Sequence, residues 1–158
     1  MQFKQFQWKT FWYSFALTFL FAIGGGIVTY AGMPQYEAAV HPALTPPSWL
    51  FPVVWSILFL LMTYSAAVIY DSGHPDLSKA IFVYALQLTM NFWWCVLFFG
   101  FRLYLFAFIW LILLWIAVLV MIILFYRINK MAGLLQSPYL VWLTFAAYLN
   151  LGLYLLNR

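Results

Sequence analysis

Five long runs of apolar residues make up most of the chain, and short polar segments separate them. The runs extend over about residues 10–31, 49–70, 80–99, 103–126 and 134–156, and every Asp, Glu, Lys and Arg lies outside them. A helix needs roughly 20 apolar residues to cross about 30 Å of hydrocarbon. Because apolar residues are continuous and do not alternate with polar ones, the runs predict helices, not the strands of a membrane barrel. The pattern therefore predicts one all-α domain over residues 1–158, a polytopic membrane protein with a five-transmembrane-helix bundle.

Composition agrees with a membrane location and excludes several functions. The chain is 68% hydrophobic and 6% charged, whereas soluble domains are about 45–50% apolar and about 25% charged. Its net charge of +4 comes from too few side chains to form the basic surface that binds nucleic acid. One Cys and two His give no basis for a metal site. We expect no metal, no resident cofactor and no nucleic-acid partner.

Positive charges are distributed unequally between the two ends of the predicted bundle. By the positive-inside rule, the end with more Lys and Arg faces the cytoplasm. This rule predicts a cytoplasmic N-terminus and an outside C-terminus, in what we expect to be a bacterial cell membrane. The predicted cytoplasmic end carries Lys4, Lys9, Lys79, Arg127 and Lys130, and the other end carries Arg102 and Arg158.

The first connection, over residues 32–48, is long and rich in proline. It contains Pro34, Pro42, Pro46 and Pro47. Because proline fixes φ and restricts the residue before it, this loop is predicted to hold a defined shape. Two roles fit equally well, a lid over one end of the bundle or a plain connector. The other connections are short, which predicts antiparallel neighbouring helices.

Aromatic, small and amide side chains recur at three-to-four-residue spacing inside three of the spans. That spacing places them on one face of each helix. Three uncharged faces of this kind are typical of a pocket that holds a large, flat, apolar molecule by stacking and one or two hydrogen bonds. The faces consist of Trp55, Phe59, Met62 and Ala66 in the second span, Gln87, Asn91, Trp94, Cys95 and Phe98 in the third, and Tyr139, Trp142, Ala146, Asn150 and Leu153 in the fifth.

Plain helix packing explains the same spacing, with Asn91 and Asn150 as interhelical hydrogen-bonding groups. An ion or proton path is disfavoured, since Glu37, Asp71 and Asp76 are all predicted to lie in loops. No general base accompanies Cys95 or a serine of the spans, so nucleophilic catalysis is disfavoured. Any chemistry would have to come from the ligand or from redox-active indole rings.

Three segments stand out for their order and spacing within the five spans. They are YEAAVHPALTPPSWLFPVVWSILF at residues 36–59, QLTMNFWWCVLFFG at residues 87–100 and PYLVWLTFAAYLNLGLYLLN at residues 138–157. Together they resemble the TspO/MBR family, the tryptophan-rich sensory proteins and translocator proteins (peripheral-type benzodiazepine receptors).

The chain departs from the family pattern at four positions. Gln35 stands where the family usually has Trp, His41 where it has Lys, and Leu44 where it has an aromatic residue. Cys95 replaces a common Ser. These differences concern the affinity and preference for a ligand more than the fold.

The resemblance implies a homodimeric receptor or sensor whose pocket, under the first loop, binds porphyrins, sterol-like and benzodiazepine-type compounds. It also implies that Trp55 and Trp142 match two indoles connected with light- and oxygen-dependent breakdown of protoporphyrin IX. Asn150 is added to the site from its spacing. The site carried over from the family consists of Tyr36, Trp55, Asn91, Trp94, Cys95, Trp142 and Ala146, with Pro42, Pro46 and Pro47 shaping the lid.

Three functions follow from this resemblance: a porphyrin sensor, a porphyrin-degrading enzyme, and a transporter of porphyrins or lipid-like molecules. In each, we expect a macrocycle to stack between Trp55 and Trp142. Its propionates would then reach Arg102 and a protonated His41 at the bundle end. The end of the fifth span also fits a weak cholesterol-recognition pattern through Leu151, Tyr154 and Arg158.

Overall fold

The structure is a computed structural model and describes residues 7–158, so Lys4 of the predicted cytoplasmic charges lies outside the described residues. All regular structure in that range is helical, and five stretches are long and apolar enough to cross a membrane. The predicted five-span, all-α architecture is therefore confirmed. The elements are α1 (Trp8–Glu37), α2 (Leu50–Asp71), α3 (Leu77–Cys95) continued by a π-helical turn (Val96–Gly100), α4 (Tyr104–Ile128), a short α5 (Lys130–Leu134) and α6 (Ser137–Leu156).

The helices close into a ring in the order α1, α2, α6, α4, α3. Helix α1 packs against α2 and α3, α3 against α4, and α4 against α6. Gln136, just before α6, closes the ring because its Nε2 donates to the Leu61 carbonyl at 3.2 Å and to Ser65 Oγ at 2.8 Å on α2. The short connections do join antiparallel neighbours at α3–α4 and α4–α6. By contrast, the short connection between α2 and α3 does not join neighbours in the ring, because α1 lies between these two helices.

The first span is longer than the sequence pattern predicts. Helix α1 continues from the expected end near residue 31 to Glu37, with Pro34 inside it. Proline usually stops a helix because it lacks an N–H and crowds the preceding turn. Here Pro34 lies in the last turn of α1, so it disturbs only the end of the helix. Two residues later, buried Tyr36 packs against rings of α2 and the π-helical turn, which holds this last turn in place. The loop accordingly shortens to residues 38–49.

Two of the acidic residues predicted to lie in loops end helices instead. Glu37 is the last residue of α1, and its Oε1 accepts a hydrogen bond from Ser48 Oγ at 2.8 Å. Asp71 is the last residue of α2, and it accepts from the Gln7 backbone N–H at 2.9 Å and from Thr10 Oγ1 at 2.8 Å. Because a helix N-terminus attracts negative charge, Asp71 stabilises the start of α1.

The two ends of the bundle are distinct. The end formed by residues 38–49, the start of α4 and the end of α6 is termed the loop end. The opposite end holds the start of α1 and the connections after α2 and α4. At that opposite end, a hydrogen bond from Lys79 and its positive charge lower the pKa of Asp76.

Candidate functional site

A cavity of about 430 Å³ lies inside the bundle toward the loop end. Its wall comes from α1, α2, α3 with the π-helical turn, and α6, whereas α4 does not reach it. Most of the wall is aromatic or aliphatic, and no charged side chain among the described residues lines it. A volume in this range is typical of sites for drug-sized ligands, which run from about 300 to 1,000 Å³.

Seven of the predicted site residues line this cavity, and four do not. The seven come from all four walls of the cavity, so residues far apart in the sequence meet here. The lining group comprises Tyr36, Trp55, Asn91, Trp94, Cys95, Ala146 and Asn150. The other group comprises Pro42, Pro46, Pro47 and Trp142.

Trp142 occupies a place other than the expected one. Spacing puts it on the same side of α6 as Ala146 and Asn150, but the cavity borders α6 only from Ala146 onward. One turn earlier, the Trp142 ring contacts Phe51, with ring centroids 6.0 Å apart. Trp142 therefore meets the cavity wall through Phe51, and the stacking of a ligand between Trp55 and Trp142 stays a prediction. Residue spacing indicates the face of a helix but not the depth at which a cavity ends.

The Asn150 amide joins two helices at the cavity wall. Its Oδ1 accepts from Trp94 Nε1 at 3.2 Å, and its Nδ2 donates to the Tyr104 carbonyl at 2.7 Å. Both ends of the amide are therefore occupied, and the side chain is almost fully buried. Asn150 both lines the cavity and serves as an interhelical hydrogen-bonding group.

Asn91 keeps an acceptor free. Its Nδ2 donates to Tyr139 Oη at 3.2 Å, and this hydroxyl donates to Gln87 Oε1 at 3.0 Å. No hydrogen bond within residues 7–158 uses Asn91 Oδ1. A ligand N–H that enters the cavity thus finds an uncharged acceptor already oriented by two helices.

The rings around the cavity contact one another closely. Trp94 stacks on Phe98 with centroids 5.1 Å apart, and Tyr36 lies 6.0 Å from Phe98. On the α2 side, Trp55 lies 5.4 Å from Phe59. The π-helical turn changes the helical register after Cys95, and both Phe98 and Phe99 line the cavity. Because each ring is held by its neighbours, the wall is preorganised for a flat apolar ligand.

The proline-rich loop is fixed to α6 at the loop end. Asn157 Oδ1 accepts from the Val40 N–H at 2.9 Å, and Asn157 Nδ2 donates to the Val40 carbonyl at 2.8 Å. Next to these bonds, Pro42 packs on Gly152, where a Cβ would lie 2.8 Å from the proline ring. These contacts give the loop a defined position, but none of residues 38–49 lines the cavity, so the lid stays a prediction.

His41 and Arg102, the cations expected to meet ligand propionates, lie in different surroundings. The His41 ring packs edge-on against Tyr36, with centroids 4.6 Å apart, and its buried Nδ1 has no hydrogen-bond partner among the described residues. Arg102 does not line the cavity. It lines a separate groove of about 480 Å³ between the start of α4 and the end of α6.

The cavity also opens sideways between α1 and α2. Ile23 and Tyr30 line it although they are 60% and 84% exposed, and the exposed Pro52 and Ser56 lie across from them. These exposed lining residues place an opening on the outer surface of the bundle. A ligand larger than the enclosed part can therefore extend toward lipid.

The α1 wall and several rings were missed from the sequence. Ala22, Gly25 and Gly26 are small residues of the kind that let neighbouring helices approach closely. Gly25 does lie against Cys95 Sγ, but all three also line the cavity. On α2, a signal was present for Phe51, because it precedes Trp55 at four-residue spacing. Phe59 and Phe98, which residue spacing places on the inward faces, do line the cavity. The unpredicted lining residues include Phe19, Thr29, Met33, Phe99 and Leu149.

Comparison with known proteins agrees with this architecture. The sequence profile described as "TspO/MBR family" matches residues 14–155. The chain is 36% identical to the tryptophan-rich protein TspO of Chlorobaculum tepidum over 86% of this chain and 89% of that protein. It is 37% identical to the protein of the same name from Archaeoglobus fulgidus over 86% of this chain and 90% of that protein. It is 31% identical to the human translocator protein over 81% of this chain and 78% of that protein. The chain belongs to the TspO/MBR family of integral, multi-pass membrane proteins.

Proposed function

We propose that this protein is a membrane receptor or sensor that binds a porphyrin, or a similarly flat apolar molecule, in the cavity beneath the proline-rich loop. The observation that carries the proposal is the combination of an uncharged aromatic wall with the free acceptor Asn91 Oδ1. Flat macrocycles gain from stacking on Trp and Phe rings. Their pyrrole N–H groups suit a neutral amide acceptor.

The dimensions of the site support a ligand of this size. The enclosed volume is about 430 Å³, and the opening between α1 and α2 lets an apolar edge of a larger macrocycle extend beyond the enclosed part. The propionate groups would have to point toward the loop end, because burying a charge without a partner is unfavourable. Sterol-like and benzodiazepine-type compounds are smaller alternatives for the same cavity. Homodimer formation is part of the same proposal.

Two other functions use the same site. Trp55 lines the cavity and contacts Tyr139, with ring centroids 5.9 Å apart, so an oxidisable indole lies beside any bound porphyrin. This placement favours light-driven degradation of the ligand by oxygen as an alternative. The sideways opening favours exchange of ligand with the bilayer, which a transporter of porphyrins or lipid-like molecules needs.

A titration of the purified protein with protoporphyrin IX tests the proposal. Trp fluorescence is followed in the dark, and product absorbance is then followed under light. We expect saturable quenching with one ligand per chain, and Trp55→Leu should weaken binding about two- to tenfold because it removes a stacking ring. Absence of saturation would contradict a porphyrin site.

Two further substitutions make the titration specific. Trp93→Leu removes an exposed indole next to Trp94 that does not line the cavity, so it should leave the affinity unchanged. Trp142→Phe tests the second indole of the expected stack, which contacts the cavity-lining Phe51. Several porphyrins consumed per chain in a Trp55-dependent reaction would support the enzyme. A single bleached complex would support the sensor, and porphyrin flux into liposomes would support the transporter.

A further inference from the structure

A second recessed surface lies at the loop end, outside the ligand cavity. This groove of about 480 Å³ is formed by the start of α4 and the end of α6. Arg102 and Arg158 line it together with Tyr154. Asn157 also lines it, but Val40 and the Leu153 carbonyl already use its amide. The polar side-chain groups that remain are two guanidinium groups and the hydroxyls of Tyr104 and Tyr154.

Neither arginine has an acidic partner within residues 7–158. The ion pairs in that range join Asp76 to Lys79 and His74 at the opposite end of the bundle. At the loop end, Glu37 accepts a hydrogen bond from Ser48. Two cations that share one groove without a counter-ion repel each other, and an anion bound between them would remove that repulsion.

The rest of the groove is apolar and faces lipid. Leu105, Phe106 and Ile109 line it on α4 and are about half exposed on the outer surface of the bundle. Their positions continue from the arginines along α4 toward the middle of the membrane. A molecule with a phosphate at one end and an acyl chain at the other would place the phosphate near the arginines and the first part of the chain against these side chains.

We propose that this groove is a specific site for an anionic phospholipid, with the phosphate between Arg102 and Arg158 and one acyl chain along α4. The chemistry argues against a sterol as the occupant, since a sterol presents one neutral hydroxyl to two cations. The proposal is independent of the ligand cavity, because the groove shares none of its lining residues with that cavity.

Native mass spectrometry of the full chain in detergent tests the site. The probes are dioleoyl phosphatidylglycerol, dioleoyl phosphatidylcholine and water-soluble glycerol phosphate. We expect one phosphatidylglycerol to be retained in preference to phosphatidylcholine. Arg102→Gln and Arg158→Gln should each weaken retention about fivefold, which corresponds to about 1 kcal/mol per cation near a membrane surface. Circular dichroism of each variant establishes that it is folded.

Arg127→Gln is the matched control, because Arg127 ends the same helix at the opposite end of the bundle. Retention that falls equally in Arg127→Gln would show a general charge effect and overturn the proposal. Unchanged retention in Arg102→Gln and Arg158→Gln would overturn it as well. Glycerol phosphate that displaces the lipid at equal concentration would identify free phosphate as the ligand and refute the lipid assignment.

Discussion

Single amide side chains connect the helices around the cavity. Asn150 accepts from Trp94 Nε1 and donates to the Tyr104 carbonyl, so it joins α3, α6 and the first turn of α4. Unpartnered polar groups in a hydrocarbon environment are unfavourable, and each such bond stabilises a membrane bundle by roughly 0.6–2 kcal/mol. Stability and ligand recognition therefore depend on the same few atoms.

Replacement of Asn150 by Leu should lower the free energy of unfolding by about 1–2 kcal/mol. The change leaves a buried indole N–H and a backbone carbonyl without their partners. Denaturant unfolding of the protein in detergent measures the loss. Thr89→Val is the control, since the exposed Thr89 hydroxyl bonds only to the carbonyl of Ala85 in its own helix. Equal stability of the two variants would show that the Asn150 bonds contribute nothing measurable.

The free acceptor on Asn91 leads to a prediction about affinity. Asn91→Leu removes the Oδ1 acceptor at the cavity wall and should weaken porphyrin binding about two- to tenfold, the effect of one hydrogen bond. Fluorescence titration measures the change. Tyr139→Phe removes the partner of Asn91 Nδ2 without altering that acceptor, so its affinity should stay close to that of the unmodified protein. A larger loss in Tyr139→Phe would mean that Asn91 acts through the network and not by contact with ligand.

At the scale of elements, the proline-rich loop is held to α6 by two hydrogen bonds and one close packing contact. The packing contact requires glycine, because a Cβ at Gly152 would come within 2.8 Å of Pro42. Gly152→Ala should push the loop off α6 and speed ligand dissociation, with a similar effect from Asn157→Ala. Stopped-flow fluorescence measures both rates.

Asn129→Ala is the control for the loop variants. It removes the side-chain hydrogen bond that begins α5 at the opposite end of the bundle, far from the loop. Its dissociation rate should equal that of the unmodified protein. Dissociation that is unchanged in Gly152→Ala and Asn157→Ala as well would refute the lid and identify the loop as a connector.

The hydrophobic pattern predicted where the spans lie, but not how their ends are formed. It placed the end of α1 before Pro34, because the extension to Glu37 depends on tertiary packing of Tyr36. It also missed α5, a single helical turn that begins when Asn129 Oδ1 accepts from the Ala132 N–H. Such features depend on contacts between distant residues, which periodicity within one segment does not contain.

The candidate site, like the helix ends, could be predicted only in part from the sequence. Spacing and the family resemblance together predicted residues such as Asn91 and Trp94, because polar or aromatic groups inside a span need a partner. They also predicted Trp142, which contacts the cavity-lining Phe51 one turn away from the part of α6 that borders the cavity. The α1 wall was missed because small residues indicate close packing equally well.

At the scale of the whole molecule, the cavity lies on the less tightly packed side. Helix α4 presents a fully buried seam to α3 and α6 and does not reach the cavity. By contrast, only five of the 30 residues of α1 are buried, although α1 packs along α2. Ligand exchange between α1 and α2 would thus disturb few fully buried side chains of α1. The seam consists of Ala107, Leu111, Leu114, Val118, Met121 and Phe125.

The charges at the two ends predict the orientation of the bundle in its membrane. Within the described residues, Lys9, Lys79, Arg127 and Lys130 belong to the opposite end, whereas Arg102 and Arg158 belong to the loop end. By the positive-inside rule, the loop end should face outward.

Cysteine labelling of intact bacterial cells tests this orientation. Ala43→Cys in the loop should react with a membrane-impermeant maleimide, whereas Met131→Cys at the opposite end should react only after the cells are opened. Both positions are exposed, and the one native cysteine, Cys95, is buried, so the unmodified protein is a blank. We expect at least a tenfold ratio of labelling between the two variants, about the effect of a closed bilayer on a charged reagent. The reverse ratio would place the proline-rich loop in the cytoplasm, and any ligand beneath it would then come from the cytoplasmic side.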